Sequence, residues 1–251
     1  MENKERLEVA IRRAQAALSG RKDLQKGIGT QMERMLHCVL NYYFEPDESH
    51  QEVRVGSYIA DIYRPHDNRI LEIQTRGFDK LRDKLDAVLP EHKVTVIYPI
   101  PREKMLYWID AETGEAHPGR KSPKKGKEWE ILVEIYRLPK QQMHPNLSFL
   151  PVLMDLEEYR LMDGWSRDGK KGSHRIERIP YDIQEGFLLE MKEDYMELLP
   201  ELPEVFTVKE YGKATGLRGS ASYAMKAIER AGAIERAGKK GNAILYRKVQ
   251  D

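Results

Sequence analysis

The chain has 251 residues, 40% of them apolar and 33% charged, with a formal net charge of +1. That length suits one large domain, or a core of ordinary size with a small second domain, and no apolar run approaches the roughly 18 residues that a membrane span needs. A single cysteine, Cys38, excludes an internal disulfide and a multi-cysteine zinc site.

The opening stretch MENKERLEVAIRRAQ is charged throughout and lacks the apolar segment of a secretory signal, so a cytoplasmic protein without membrane partners is expected. Leu7, Ile11, Ala14 and Leu18 recur at helical spacing up to Gly20, and Met32, Leu36, Val39 and Tyr43 mark a second helix over 30–44. HQEVRVG, YIADIYRP and RILEIQT follow as three strands, broken at Gly56-Ser57 and at Pro65 to Asn68. FDKLRDKLDAVL reads as a helix, and the nearly uninterrupted apolar run KVTVIYPI reads as a strand covered on both faces. Further along, MLYWIDAETGEAH predicts a strand and turn, while EWEILVEIYRL and FLPVLMDLEEYRL predict strands beside the core. DGWSRDGKKGSHRIERIPYD reads as a loop and linker, and a helix-like EGFLLEMKEDYMELL follows it.

The last 45 residues differ in charge. From 207 to 251 there are ten Lys or Arg against four Asp or Glu. Thr207 with Glu210 makes a capping box for one short helix. Gly216 to Gly219 supplies a turn, and Ala224, Ala227, Ile228 and Ala231 give a second helix a narrow face that ends at Gly232. A hairpin turning at Gly238 to Asn242 closes the chain. This unit resembles a winged helix-turn-helix domain. The resemblance implies DNA contacts from Ser220, Ser222, Tyr223, Lys226 and Arg230 on the second helix, and from Lys239 and Lys240 on the wing. Winged helices also serve as protein-docking modules; the local basic charge favours DNA. The loops GRKSPKKGK (119–127) and SRDGKKGSHR (166–175) are also basic, in the manner of solvated loops or phosphate contacts.

The hairpin ADIYRPHDNRILEIQT, residues 60–75, carries the strongest chemical signal. If Pro65 to Asn68 form the loop, Arg64 pairs with Arg69 and Asp61 lies opposite Glu72, with Gln74 on the same face. Opposed side chains in a hairpin stand about 5 Å apart at Cβ, and like charges there destabilise. A salt bridge, a raised carboxyl pKa or a divalent cation would relieve them. Paired carboxylates beside an amide suit Mg²⁺ or Mn²⁺, and a metal-acidified water attacks phosphodiesters.

Helix, three strands, helix, strand, with Asp61 on the second strand and EIQ (72–74) on the third, resembles the PD-(D/E)XK nuclease superfamily of Holliday-junction resolvases and restriction endonucleases. The resemblance covers about residues 27–100. It implies a restriction-endonuclease-like αβββαβ core, with Asp61 and Glu72 as metal ligands, Glu33 on the preceding helix joining the site, and a homodimer acting on DNA. Glu33 also fits a capping box with Thr30. Gln74 stands where the family usually has lysine, and glutamine holds a water without taking its proton. Lys80 and Lys84 on the following helix are the candidates for a displaced ammonium. Ordinary ion pairs are the alternative, Asp61 with Arg64 or Arg76 and Glu72 with Arg54.

No HExxH, GxSxG or dinucleotide fingerprint occurs, and GWSRDGKK (164–171) lacks the final Ser or Thr of a phosphate loop, so no organic cofactor is expected. The expected organisation is therefore an α/β nuclease-like domain at 1–162, a linker at 163–192 and a winged-helix domain at 193–251. The expected activity is metal-dependent DNA cleavage in repair, recombination or phage defence; the alternative is a non-cleaving DNA-binding regulator built on the same fold.

Overall fold

The computed structural model describes residues 3–19, 28–165 and 171–249. Helices α1 (Asn3–Ser19) and α2 (Ile28–Phe44) precede strands β1 (Gln51–Val55), β2 (Tyr58–Arg64) and β3 (Arg69–Ile73). A 3-10 turn at Phe78–Leu81 runs into α3 (Arg82–Val88), followed by β4 (Lys93–Asp110) and the short β5 (Arg120–Lys121). Then come α4 (Ile131–Ile135), β6 (Leu147–Trp165), β7 (Lys171–Glu185) and α5 (Lys192–Glu197). The chain closes with β8 (Val205–Thr207), α6 (Val208–Thr215), α7 (Ala221–Arg230), β9 (Ile234–Lys240) and β10 (Ala243–Lys248). The result is a mixed α/β chain with one large mixed sheet and a small second sheet of order β8-β10-β9. No helix among the described residues is long and apolar enough to cross a membrane.

Residue contacts divide the chain into two units. One comprises Met1–Val53, Pro101–Gly126 and Leu153–Gln184. In it α1 buries Leu7, Ala10 and Ala14, the stripe its helical spacing sets out. The distal lengths of β4, β6 and β7 are tied by ion pairs. Arg102 binds both Asp155 and Asp182, and Lys104 lies 3.4 Å from the buried Glu158.

The other unit comprises Arg54–Ile100, Lys127–Val152 and Glu185–Asp251. Its β2 and β3 pair antiparallel with Arg64 opposite Arg69, Tyr63 opposite Ile70 and Ile62 opposite Leu71, the register expected from a four-residue loop. Strand β3 pairs parallel with β4, setting Glu72 opposite Val96. Val94, Val96 and Ile97 are fully buried, which explains the unbroken apolar run of β4. On α3, Leu85 and Val88 join Phe78 and Leu81 in the core.

Asn68 ends the hairpin loop in a left-handed conformation, φ 51°, which asparagine tolerates better than most residues. Its side chain also binds the start of β4. Nδ2 donates to the Glu91 carbonyl at 2.6 Å, and Oδ1 lies 2.6 Å from His92 Nδ1. The Lys93 amide then donates to the Asn68 carbonyl at 3.1 Å.

Three expectations are corrected. EWEILVEIYRL is a 3-10 turn and the helix α4, because Ile131, Leu132, Ile135 and Leu138 are all buried at i, i+1, i+4 and i+7, a helical period. The linker expected at 163–192 contains the whole of β7, whose partner β6 draws a charge-rich segment into the sheet. The helix in EGFLLEMKEDYMELL is limited to α5, because Leu189 bridges to Phe149 of β6 and holds the preceding residues extended. Residues 193–251 fall in the same contact unit as 54–100 and 127–152. The SRDGK part of the second basic loop, 166–170, lies outside the described residues.

Within that C-terminal segment, Thr207 Oγ1 accepts from the Glu210 amide at 3.3 Å and Glu210 Oε2 accepts from the Thr207 amide at 2.7 Å, the expected capping box. Gly216, φ 74°, ends α6 in the left-handed conformation that favours glycine.

Candidate functional site

Asp61 on β2 and Glu72 on β3 meet at the pair after Ile62 and Leu71. The Asp61 amide points to Glu72 Oε1 at 3.4 Å, and Asp61 Oδ2 accepts from the Ile73 amide at 2.8 Å. Each carboxylate thus leans on the other's strand. Asp61 is half-buried, whereas Glu72 is only 4% exposed, a depth at which a carboxylate without a partner is strongly disfavoured.

The partner is Lys84. Its Nζ lies 2.5 Å from Glu72 Oε1 and donates to the Ile59 carbonyl at 2.5 Å. Lys84 reaches the carboxylate because it shares a helical face with Leu81, Leu85 and Val88, all buried. The other candidate, Lys80, is exposed. Burial and the negative charge of Asp61 raise the Glu72 pKa and the Lys84 ammonium lowers it; the net result is a carboxyl pushed up to about 7.

Gln74 follows a different course. Its amide N–H donates to the Ile97 carbonyl at 2.9 Å, and its side-chain Nε2 donates to the Arg76 carbonyl at 2.6 Å. The side chain therefore closes the turn after β3. Glu33 lies on α2, but its side chain falls outside the described residues.

The entry to α3 is fixed from α4. Glu134 Oε2 accepts from the amides of Gly77 at 2.8 Å and Phe78 at 3.2 Å, and Arg137 bridges Glu134 and Asp79 at 3.2 Å each. Two charge-assisted bonds to amides in a mostly buried setting are worth on the order of 2 kcal/mol. Glu134→Ala is expected to lower unfolding free energy by about that much in urea titration, and Glu134→Gln, which keeps an acceptor, by clearly less. Equal losses would show that the two amides are not held by this side chain. Sequence reading missed Glu134 because it took the segment for a strand; the helical spacing of Ile131 and Ile135 was the available signal.

The residues expected to face DNA fall into two groups. Lys239 and Lys240 are exposed at the hairpin tip, and Ser220 and Ser222 are half-buried at the start of α7. Tyr223 and Lys226 are exposed, as expected, and Arg230 is half-buried; all three also make contacts within their own unit. The Tyr223 ring stacks on Tyr136 with centroids 4.9 Å apart. Arg230 Nη1 donates to Gln142 Oε1 at 2.8 Å, and Gln142 Nε2 donates to the Ala227 carbonyl at 2.8 Å. Lys226 and Arg230 both lie over the Tyr136 ring, at 5.7 Å and 5.8 Å from its centroid.

Asp61 and Glu72 supply two hard oxygen donors, a set that suits a Mg²⁺ ion retaining waters at its other positions. No group of three or more His, Cys, Asp or Glu able to hold a metal occurs among the described residues.

Comparison with known proteins places these residues in a family context. Residues 34–190 match the family model described as "Domain of unknown function (DUF8091)", a span that includes Asp61, Glu72 and Lys84. An uncharacterized protein of Treponema pallidum (strain Nichols) is 34% identical over 222 residues, covering 88% of this chain and 87% of that protein. No solved structure matches.

Proposed function

We propose, for this chain, which belongs to the DUF8091 family, the function of a magnesium-dependent DNA endonuclease with a restriction-endonuclease-like core and a winged-helix module. The observation that carries the reading is the Asp61, Glu72 and Lys84 cluster, two carboxylates and an ammonium drawn together on adjacent elements. The order α2, β1, β2, β3, α3, β4, with β3 and β4 parallel, supports the PD-(D/E)XK likeness. The small sheet β8-β10-β9 beside α6 and α7 supports the winged helix.

Asp61 and Glu72 would hold the ion, which when bound supplies a Lewis acid for the phosphate and acidifies a water. The chain's own contribution is electrostatic. A Glu72 carboxyl raised to about 7 is partly protonated at neutral pH, and the Asp61 charge opposes its ionisation. Lys84 offsets that charge and stands where it can hold or relay a proton at Glu72 Oε1, a task that Gln74 does not serve from its place on the Arg76 carbonyl.

The test is incubation of supercoiled, branched and single-stranded DNA with Mg²⁺ or Mn²⁺. Nicking by the wild type is expected, with a loss of at least about 100-fold in Asp61→Ala. Equal nicking by both proteins would refute the site. A second reading, a non-cleaving DNA-binding regulator, draws on the depth of Glu72 and the bond already made by Asp61 Oδ2 to the Ile73 amide. Tight DNA binding with no metal-dependent cut would decide for it.

A further inference from the structure

We infer that the segment 129–142 couples the outer face of α7 to the Asp61, Glu72 and Lys84 cluster, so that a DNA phosphate drawing Lys226 and Arg230 off the Tyr136 ring loosens α3 and releases Lys84 from Glu72. The inference rests on the proposal that the C-terminal module engages DNA, and it concerns the regulation of the same acidic site.

The segment is bonded on two sides. Glu134, Arg137 and Gln141 recur at i, i+3 and i+7, and all three hold the element that carries Lys84. Glu134 Oε2 accepts from the Gly77 and Phe78 amides, and Arg137 pairs with Asp79. The Arg137 carbonyl accepts from Arg82 Nε at 2.8 Å, and Gln141 Nε2 donates to Asp86 Oδ1 at 2.7 Å. Lys84 lies between Arg82 and Asp86 on α3, with its Nζ 2.5 Å from Glu72 Oε1.

On the other side Gln142 Nε2 donates to the Ala227 carbonyl at 2.8 Å, and Gln142 Oε1 accepts from Arg230 Nη1 at 2.8 Å. Gln141 and Gln142 are thus consecutive buried amides that turn opposite ways, one to α3 and one to α7. A displacement of either is felt by the other, because close-packed interiors transmit strain and a buried amide stripped of its partner is costly.

The α7 face that meets this segment is also open to solvent. Tyr223, Lys226 and Arg230 follow one another at i, i+3 and i+7; Tyr223 is 44% exposed and Lys226 is exposed. Tyr223 nevertheless stacks on Tyr136, and both cations lie over the Tyr136 ring near the outer limit of such a contact. A phosphate binds the same cations by stronger, charge-assisted bonds. Phosphate and ring therefore compete for Lys226 and Arg230. Without DNA the Lys84 ammonium occupies Glu72; with DNA bound, the carboxylate is opened beside Asp61.

The test follows the full chain in EDTA, with and without a DNA duplex whose binding is read by anisotropy. Acylation of Lys84 by a dilute amine-reactive ester and hydrogen exchange over 77–89 are read by peptide mass. In the wild type the duplex is expected to speed both about threefold. Tyr136→Leu removes the ring, so both should be fast without DNA and change less than about 1.3-fold when it binds, whereas Tyr136→Phe keeps the ring face and the wild-type response. A duplex that binds the wild type and leaves both rates unchanged or slower overturns the inference while DNA binding stands. So does a Tyr136→Leu variant that responds as the wild type does. A wild type that binds no duplex refutes the DNA reading and this inference with it.

Discussion

A chain ending at Glu190 is expected to fail to fold cooperatively. The sequence presents 193–251 as a detachable domain, yet Tyr195, Leu198, Ala224 and Ile228 belong to the same buried cluster as Phe78, Ile131, Ile135 and Phe149. Trp129 adds a bond from Nε1 to the Thr215 carbonyl at 3.0 Å. Removing the segment would uncover several large apolar side chains, each worth about 2 kcal/mol when buried, and net stabilities are only ~5–15 kcal/mol. The full chain should give a sharp urea transition by circular dichroism. The truncated chain should give a broad one and bind a hydrophobic dye. A truncated chain with an unchanged midpoint would show the segment to be independent after all.

The second large effect is expected at Lys84. Breaking a buried ion pair by removing one partner typically costs about 3 kcal/mol or more, unless the stranded group neutralises. Here it can, because Glu72 is already raised to about 7 with the lysine in place. In the wild type the folded pKa lies above the unfolded value, so the stability linked to Glu72 protonation is full below about pH 4.5 and is lost as pH rises through about 7. Lys84→Met removes the ammonium that favours the ionised form of Glu72, and so moves the folded pKa higher. Measured in EDTA, the variant should lose about 1 kcal/mol at pH 5, from the bond to the Ile59 carbonyl, and about 3 kcal/mol at pH 8.5. A loss that does not grow with pH would mean that Glu72 and Lys84 are not electrostatically linked.

Legibility in the sequence followed the range of the interaction. The hairpin register was readable because Pro65 to Asn68 define the loop and side-chain alternation does the rest; Arg64 does face Arg69. The Thr207 and Glu210 cap was readable for the same reason, a signal within four residues. Lys84 was half legible. It was named as a candidate, and its place on the stripe with Leu81, Leu85 and Val88 is what distinguishes it from the exposed Lys80. What stayed hidden depends on contacts across dozens of residues. Nothing near Tyr223 announces Tyr136, and nothing near Gly77 announces Glu134. The contacts of α7 with Tyr136 and Gln142 stayed hidden because those residues lie nearly 90 positions away, after a segment whose helical period was read as a strand.

Asn68 gives the hairpin a further property. A hairpin forms in about 1–10 μs, well before a parallel partner separated by a helix can arrive, so its early register rests on the turn alone. A slip by one residue would send Asp61 and Glu72 to the opposite face of the sheet. The Asn68 amide fits only when β4 begins where Glu91 and His92 can meet it, and Lys93 then closes the joint by donating to the Asn68 carbonyl. A misaligned hairpin would forgo that joint, so docking of β4 adds its hydrogen bonds to the register that brings the acid pair together.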